Sequence, residues 1–409
     1  MKLKYSILII LLSGIWIFCR GEGTMSLEEC LDAALGSNLQ LRAGTLRLEK
    51  SNILTGTAFD APDTGIELTQ DATEGGGMEN GLKFSQEFSF PTVYIAKHKV
   101  LKAAVKVAAS ELEDTRNSII CKITSAYYNA LYLKHLKSIM LQRKDAYTRF
   151  SEIAGKRYEA GESSRLEFLN ADRMAVKAEM DLNDVLLRYR EATGELASLI
   201  GESNEVEPSE DLLYVLDSVN ILEEPLFSNT VRGRLFEANI KQNEENLFLA
   251  KQDFLPGISL SATSQLLIKS FNPYGIDRMR FDKGNFMGFS VGISVPLFFG
   301  AKRSRLLAAQ REVEISRLMC EDENLKMAQE YRTARLELET IGKNLDYFEK
   351  SGIGKVTELR KLADISYKLG EIDYLEYMQN METASEIETD YLDCINRYNQ
   401  CIIKIQALK

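Results

Sequence analysis

Two long stretches without proline decide most of what this chain can become. All seven prolines (Pro62, Pro91, Pro208, Pro225, Pro256, Pro273 and Pro296) fall outside residues 92–207 and 297–409. Both stretches are rich in Ala, Leu, Glu, Lys and Arg, the strong helix formers, and proline is the residue that would break them. Ordinary helices run about 11–12 residues, so tracts of 116 and 113 residues predict long helical hairpins. Within each tract an apolar lane repeats at sevens. The first is Val105, Leu112, Ile119, Ala126, Leu133, Met140, Tyr147 and Ala154; the second is Leu306, Val313, Cys320, Met327, Ala334, Ile341 and Phe348. A strict seven-residue lane keeps one face on a neighbour only if the helix supercoils to the left. The sequence does not show the clean a/d alternation of a dimeric zipper, which predicts packing against more than one neighbour.

Each helical tract follows a pair of strand-like segments. Leu82, Phe84, Phe88 and Phe90 alternate with Lys83, Ser85, Glu87 and Ser89, with Gln86 the one polar residue on the apolar face. Met287, Phe289, Val291, Ile293 and Val295 alternate with Gly288, Ser290, Gly292 and Ser294. Their upstream partners are residues 65–70 and 257–266, and residues 71–80 and 269–285 read as loops. Period-two alternation with one apolar face and one small polar face is the pattern of an outer-membrane strand, and equally of a small soluble sheet. Four such strands cannot close a barrel, since the smallest have eight, and open edges are not tolerated in lipid. On the membrane reading, several chains must supply the closure. From Thr92 to Gly161, about 70 residues of helix would rise ~100 Å.

The chain reads as a duplication. Pro91 and Pro296 each close a strand pair, 205 residues apart. Downstream, Arg157-Tyr-Glu-Ala-Gly161-Glu-Ser-Ser-Arg-Leu166-Glu167 aligns with Ser366-Tyr-Lys-Leu-Gly370-Glu-Ile-Asp-Tyr-Leu375-Glu376, 209 residues apart. The expected domains are a signal peptide over 1–21, a first repeat over 22–200, an acidic linker over 201–227 and a second repeat over 228–409. Residues 201–231 hold eight acids and no Lys or Arg, with a short helix predicted over Asp211–Val219.

At the N-terminus, Lys2 and Lys4 precede a 12-residue apolar run, Ile7–Phe18, too short to span a bilayer and shaped like an export signal. Small residues place its cleavage after Gly21 or Gly23, and Phe18 stands where acylation of Cys19 would need a small residue. Loss of residues 1–21 would take the net charge from -10 to -13. That balance speaks against nucleic acid as a partner. Five cysteines remain after the signal (Cys30, Cys121, Cys320, Cys394 and Cys401), without zinc spacing or an even count, and read as small hydrophobes at helix interfaces.

On four motifs in order, the chain resembles the TolC-like outer-membrane efflux factors over essentially its whole mature length. These are Ser26-Leu-Glu-Glu-Cys-Leu-Asp-Ala-Ala-Leu35 with Asn38, the Arg157–Leu166 turn, Val295-Pro-Leu-Phe-Phe-Gly-Ala-Lys-Arg303 and Tyr367-Lys-Leu-Gly-Glu-Ile-Asp-Tyr-Leu375. The resemblance implies a mainly α fold with a small β part. Long coiled-coil hairpins would form a trimeric periplasmic α-barrel, and four strands per chain would contribute to a twelve-stranded outer-membrane β-barrel. It also implies a passive duct in the outer membrane, joined through a periplasmic adaptor (a membrane fusion protein) to an inner-membrane pump of the RND type. Phe88-Ser-Phe-Pro-Thr-Val-Tyr94 is similar to segments of the heavy-metal cation branch, the CusC and CzcC kind, so the cargo would be small molecules or metal cations.

The same resemblance assigns residues. Gly161 and Gly370 would turn the chain at the periplasmic hairpin tips, where Tyr158, Leu166, Tyr367 and Leu375 would meet the adaptor. Glu167 and Glu376 stand where the family places acids near its constriction, and in a trimer would form carboxylate rings that favour cations. Ordinary solvated glutamates are the competing reading, stronger for Glu167 than for Glu376. Catalysis is not expected. Only His98 and His135 offer imidazoles. Gly352-Ile-Gly-Lys355 lacks the spacing of a phosphate-binding loop, and no cofactor or metal site is expected. The alternative to the duct is a periplasmic coiled-coil or adaptor protein without a membrane barrel.

Overall fold

The computed structural model describes residues 23–72, 78–217, 223–267 and 287–409. The export signal, the glycine run Gly75–Gly77 and the loop over 269–285 lie outside them. Among the described residues eight α-helices carry the fold: α1 Leu27–Ser37, α2 Leu39–Leu54, α3 Pro91–Glu159, α4 Arg165–Ile200, α5 Val231–Gln252, α6 Gly300–Tyr347, α7 Ile353–Leu369 and α8 Tyr374–Ala407. Six strands accompany them: β1 Thr24–Met25, β2 Gly65–Ala72, β3 Met78–Phe88, β4 Glu207–Pro208, β5 Gly257–Leu267 and β6 Met287–Ser294. By contacts the chain divides into two compact units. No described helix is long and apolar enough to cross a membrane.

One unit holds α2, α5, the first part of α3, the first part of α6 and a sheet in the order β2-β3-β5-β6. The two predicted strand pairs are joined by an antiparallel β3–β5 ladder that binds the halves of the duplication together. The strands also run further than the sequence suggested: Asp71, Ala72 and Met78–Asn80, expected as loop, pair across the β2–β3 hairpin. Register makes the alternation a property of the whole sheet. Ile66, Phe84, Ala262 and Phe289 form one rung and Phe88, Ile258 and Ile293 another, all on one face. Gly65, Ser85, Ser261 and Ser290 lie on the other, with Glu67 facing Lys83 at 3.5 Å. Gln86, the polar residue on the apolar face, is satisfied locally: its Nε2 donates to the Pro62 carbonyl at 2.6 Å and its Oε1 accepts from Thr64 at 2.5 Å.

The four-residue discrepancy between the two repeat offsets has a simple origin. Pro91 is the first residue of α3, a position where its missing N–H costs nothing. After Pro296 the chain runs on to Gly300 before α6 begins. From helix start to turn glycine, the two halves then match in length.

The other unit contains α1, α4, α7, α8, the remainder of α3 and the last turns of α6. Ser26 and Glu29 form a capping box at α1, the physical content of the opening motif: Glu29 N–H donates to Ser26 Oγ at 3.3 Å and Ser26 N–H to Glu29 Oε2 at 2.8 Å. Of the first heptad lane, Ile119, Ala126, Leu133, Met140, Tyr147 and Ala154 are all buried. The a/d alternation missing from the sequence reading is nevertheless present. Buried positions step by four and three along Met327, Tyr331, Ala334, Leu338, Ile341 and Leu345, and along Ala178, Leu182, Val185, Tyr189, Ala192 and Leu196. Cys394 and Cys401 donate their thiols to the carbonyls of Ile341 and Ala334.

The acidic linker departs most from expectation. Its described residues from Asp211 to Asp217 form an extended strap rather than a helix. Their backbone groups are taken by other elements. Lys134 Nζ donates to the carbonyls of Pro208 and Glu210, each at 3.0 Å. Asn399, fully buried, donates to the Tyr214 carbonyl at 2.8 Å and accepts from Leu216 N–H at 2.9 Å. Leu213 and Val215 pack inward against the α3, α4 and α8 cores while most of the acids stay in solvent. Asn399→Leu removes both bonds and strands a half-buried carbonyl and N–H, a cost of about 1–3 kcal/mol. Limited proteolysis should then cut within 209–217 faster than in the parent protein while helical circular dichroism is unchanged.

Candidate functional site

The two hairpin tips, α3–α4 and α7–α8, are built alike from backbone upward. Gly161 at φ 75° and Gly370 at φ 74° adopt the left-handed conformation that only glycine takes freely. Around each, two hydrogen bonds close the preceding helix. Gly161 N–H bonds Tyr158 O at 3.0 Å and Glu162 N–H bonds Arg157 O at 2.8 Å; Gly370 N–H bonds Tyr367 O at 3.1 Å and Glu371 N–H bonds Ser366 O at 2.9 Å. The next helix is then capped by an equivalent side chain, since Ser164 Oγ accepts from Glu167 N–H at 3.2 Å and Asp373 Oδ1 from Glu376 N–H at 2.9 Å. Glu167 and Glu376 thus occupy the same third helical position, where a carboxylate also complements the helix dipole.

Their surroundings differ. The Glu167 carboxylate is half-buried and lies 3.8 Å from the Arg157 guanidinium. Glu376 is exposed and has no ion pair among the described residues. A groove of about 570 Å³ runs between the tips. It brings together Leu166, Glu167, Tyr367, Gly370 and Leu375 of the residues nominated from sequence. Tyr158, Gly161 and Glu376 do not line it. Leu166 and Leu375 are exposed at 69% and 51%, large apolar side chains left in solvent at the rim.

Behind the groove lies an aromatic cluster that the sequence reading touched only at Tyr147, Tyr158 and Tyr367. Phe150 stacks on Tyr374, Tyr367 stacks on Tyr377 at 4.8 Å between ring centres, and Tyr158 stacks on Phe168 at 6.0 Å. Tyr377 donates its hydroxyl to Asp364 at 2.8 Å, and burial together with this carboxylate pushes its phenol up to about 12. It therefore remains a neutral donor throughout the physiological range. Tyr147 and Phe150 fall three apart on α3, and Tyr374 and Tyr377 three apart on α8, which is the signal that would have announced the cluster. The Gly352-Ile-Gly-Lys355 segment is no phosphate cradle. Residues Phe348–Gly352 make a π-helical turn between α6 and α7, and Gly352 is glycine because the Phe348 ring would meet a Cβ at 2.9 Å. Among the described residues no group of His, Cys, Asp and Glu could hold a metal ion.

Known proteins share this fold. Residues 31–202 match the outer membrane efflux protein family. No curated protein sequence matches the chain. Among solved structures, the Campylobacter jejuni CmeC outer membrane channel is 15% identical, with a TM-score of 0.77 over 93% of this chain and 85% of that one. The outer membrane protein VceC from Vibrio cholerae is 18% identical, with a TM-score of 0.75 over 93% of this chain and 95% of that one. CusC, a transmembrane channel, is 15% identical, with a TM-score of 0.76 over 94% and 92%. The fold is that of these channels. CusC is no nearer than the others, so the fold does not single out the metal-cation branch.

At Gly161 and Gly370 no atom stands within 4 Å of the place a Cβ would take, so the cost of alanine is conformational. Gly161→Ala and Gly370→Ala should each cost about 1–2 kcal/mol in urea unfolding, against about 1 kcal/mol for Ser164→Ala or Asp373→Ala through the lost cap.

Proposed function

We propose that this chain, a relative of the outer membrane efflux proteins, is the outer-membrane channel component of an efflux system and works as a homotrimer. The observation that carries the reading is the four-stranded sheet. Among the described residues its edge strands β2 and β6 are each paired on one side only, and its apolar face is bare: Ile66, Leu68, Phe289, Val291 and Ile293 are all exposed. A sheet with an uncovered apolar face suits lipid, but free edges do not. Copies joined β6 to β2 satisfy both demands, and three copies give a twelve-stranded barrel within the known range.

The helices support the same assembly. Along α4, Leu169, Val176, Met180 and Leu187 form a second, exposed heptad stripe opposite the buried one, and on α6 Leu318, Leu325 and Leu336 are similarly bare. Stripes of this size on a monomer mark a contact surface, here for neighbouring copies. The apolar rim residues Leu166 and Leu375, with the groove between the tips, would receive a periplasmic adaptor linked to an inner-membrane pump of the RND type. Glu376, exposed and unpaired, would give the trimer a ring of three carboxylates selecting for cations. Glu167, half-neutralised by Arg157, would contribute less. The cargo class that fits is small cationic molecules or metal cations passing without chelation. A periplasmic coiled-coil protein without a barrel would have no use for the bare apolar sheet face.

Separated membranes extracted in mild detergent provide the direct test. Recovery in the outer-membrane fraction with the native mass of three chains is the expected result, and a soluble monomer would overturn the duct. In planar bilayers, Glu376→Gln should lower the cation-to-anion permeability ratio roughly twofold, and Glu167→Gln should lower it less. An unchanged ratio for Glu376→Gln would remove that residue from the pore.

A further inference from the structure

Register divides the side chains of the four-stranded sheet between two faces. On the face opposite the apolar one, all but three of the described side chains are glycines, serines and threonines. The hydroxyls lie low. Ser85 Oγ stands 2.6 Å, and Ser294 Oγ 2.5 Å, from the place a Cβ would take on Gly65 or Gly257, so each fills the gap over the glycine opposite. Above this short lining rise Glu67 and Lys83, directly opposite each other on β2 and β3 with 3.5 Å between carboxylate oxygen and ammonium. Their rung continues through Thr263 and Gly288, whose side chains reach less far.

Sheet stability does not account for this pair. Glu and Lys are poor strand residues, and an ion pair between half-exposed side chains gains little once both are held in place. Lys83 is the one cation among the described side chains of that face, and Glu67 is the acid that touches it. The third charge, Glu87, lies four residues further along β3, about 13 Å away. At physiological salt, where charges are screened over ~8 Å, it is too distant to answer Lys83. The sign of the field at the Lys83 rung therefore rests on Glu67.

We propose that Glu67 and Lys83 form a second selectivity element of the duct, a charge ring in its β-lined lumen that pairing holds neutral. The proposal rests on the duct reading given above, in which the bare apolar face turns to lipid and this face to the lumen. Three copies then place three such pairs at one height. Walls of low dielectric focus the field of a fixed charge inside a channel, so a bare ring of three lysines there would favour anions. Glu67 masks that ring, and cations admitted at the periplasmic mouth are not turned back at the sheet.

Reversal potentials in planar bilayers under a potassium chloride gradient test this, on full-length protein whose native mass in detergent is that of three chains. Glu67→Gln should lower the cation-to-anion permeability ratio about twofold, Lys83→Gln should raise it about twofold, and the double variant should return to the parent value. Both shifts should shrink between about 0.1 M and 1 M salt, as the screening length falls from ~10 Å to ~3 Å. A pair that only braced the sheet would move neither ratio. Single variants that assemble as the parent does and keep its ratio, or shift it in the same direction, would overturn the proposal and leave the duct standing. A parent protein that forms no channels would overturn the duct, and this proposal with it.

Discussion

Backbone pairing at the edges of β2 and β6 is the constraint on which the rest of this molecule depends. Inside its own chain the sheet satisfies two of its four strands fully, through the β3–β5 ladder that crosses between the repeats. Among the described residues the outer ladders stay open beside an apolar face. In water such a sheet would aggregate through its edges, and in lipid each unpaired group would cost several kcal/mol. A closed ring of copies removes both problems at once. On the proposed assembly the helices answer the same requirement, for a chain set beside copies of itself needs a second apolar seam. Leu169, Val176, Met180 and Leu187 supply one on α4, on the face away from Ala178, Leu182 and Val185.

Sequence reasoning recovered what short-range periodicity encodes. The alternation over Met287–Val295 is legible because side chains in a strand point to opposite faces, and the long helices because proline is absent. It lost what depends on distant partners. The strap over 211–217 is extended because Asn399 takes a carbonyl and an amide group within it, while Lys134 holds the carbonyls of Pro208 and Glu210 just before it; nothing in a run of acids with Leu213 and Val215 announces two residues so far along the chain. The a/d seam of α6 was missed in its second lane, which runs through Tyr331, Leu338 and Leu345, all buried. At the tips, the turn glycines and the positions of Tyr367 and Leu375 were readable. The aromatic cluster behind them was not, since it assembles from α3, α4, α7 and α8.

Polar residues in a coiled-coil interior are costly if nothing answers them, yet those here are not scattered. Arg143 and Arg360 each hold an α8 carboxylate, and Tyr147 occupies a heptad position among alanines and methionines. Buried ion pairs add little net stability, because desolvation offsets their attraction. They do fix register, since sliding α8 by one turn against α3 would part Glu382 from Arg143. In helices of this length register is otherwise weakly determined, as an apolar lane repeating at sevens matches itself again one heptad along.

The duplication also shows how resemblance between halves should be weighed as evidence of function. Ser164 with Glu167 and Asp373 with Glu376 align because both helices begin with the same capping chemistry. Their shared spacing is thus explained without reference to a pore. Function is better sought where the copies diverge. One glutamate is half-buried against Arg157 while the other stands in solvent. One helix, α3, runs unbroken, while its counterpart is interrupted by a π-helical turn at Phe348–Gly352. Such turns give a helix a place to adjust its winding and recur at functional sites. An assembly that opens by moving one hairpin against another needs one compliant member and one rigid one. On the proposed duct, the second repeat, with its π turn and a Glu376 that has no ion pair among the described residues, would be the moving half.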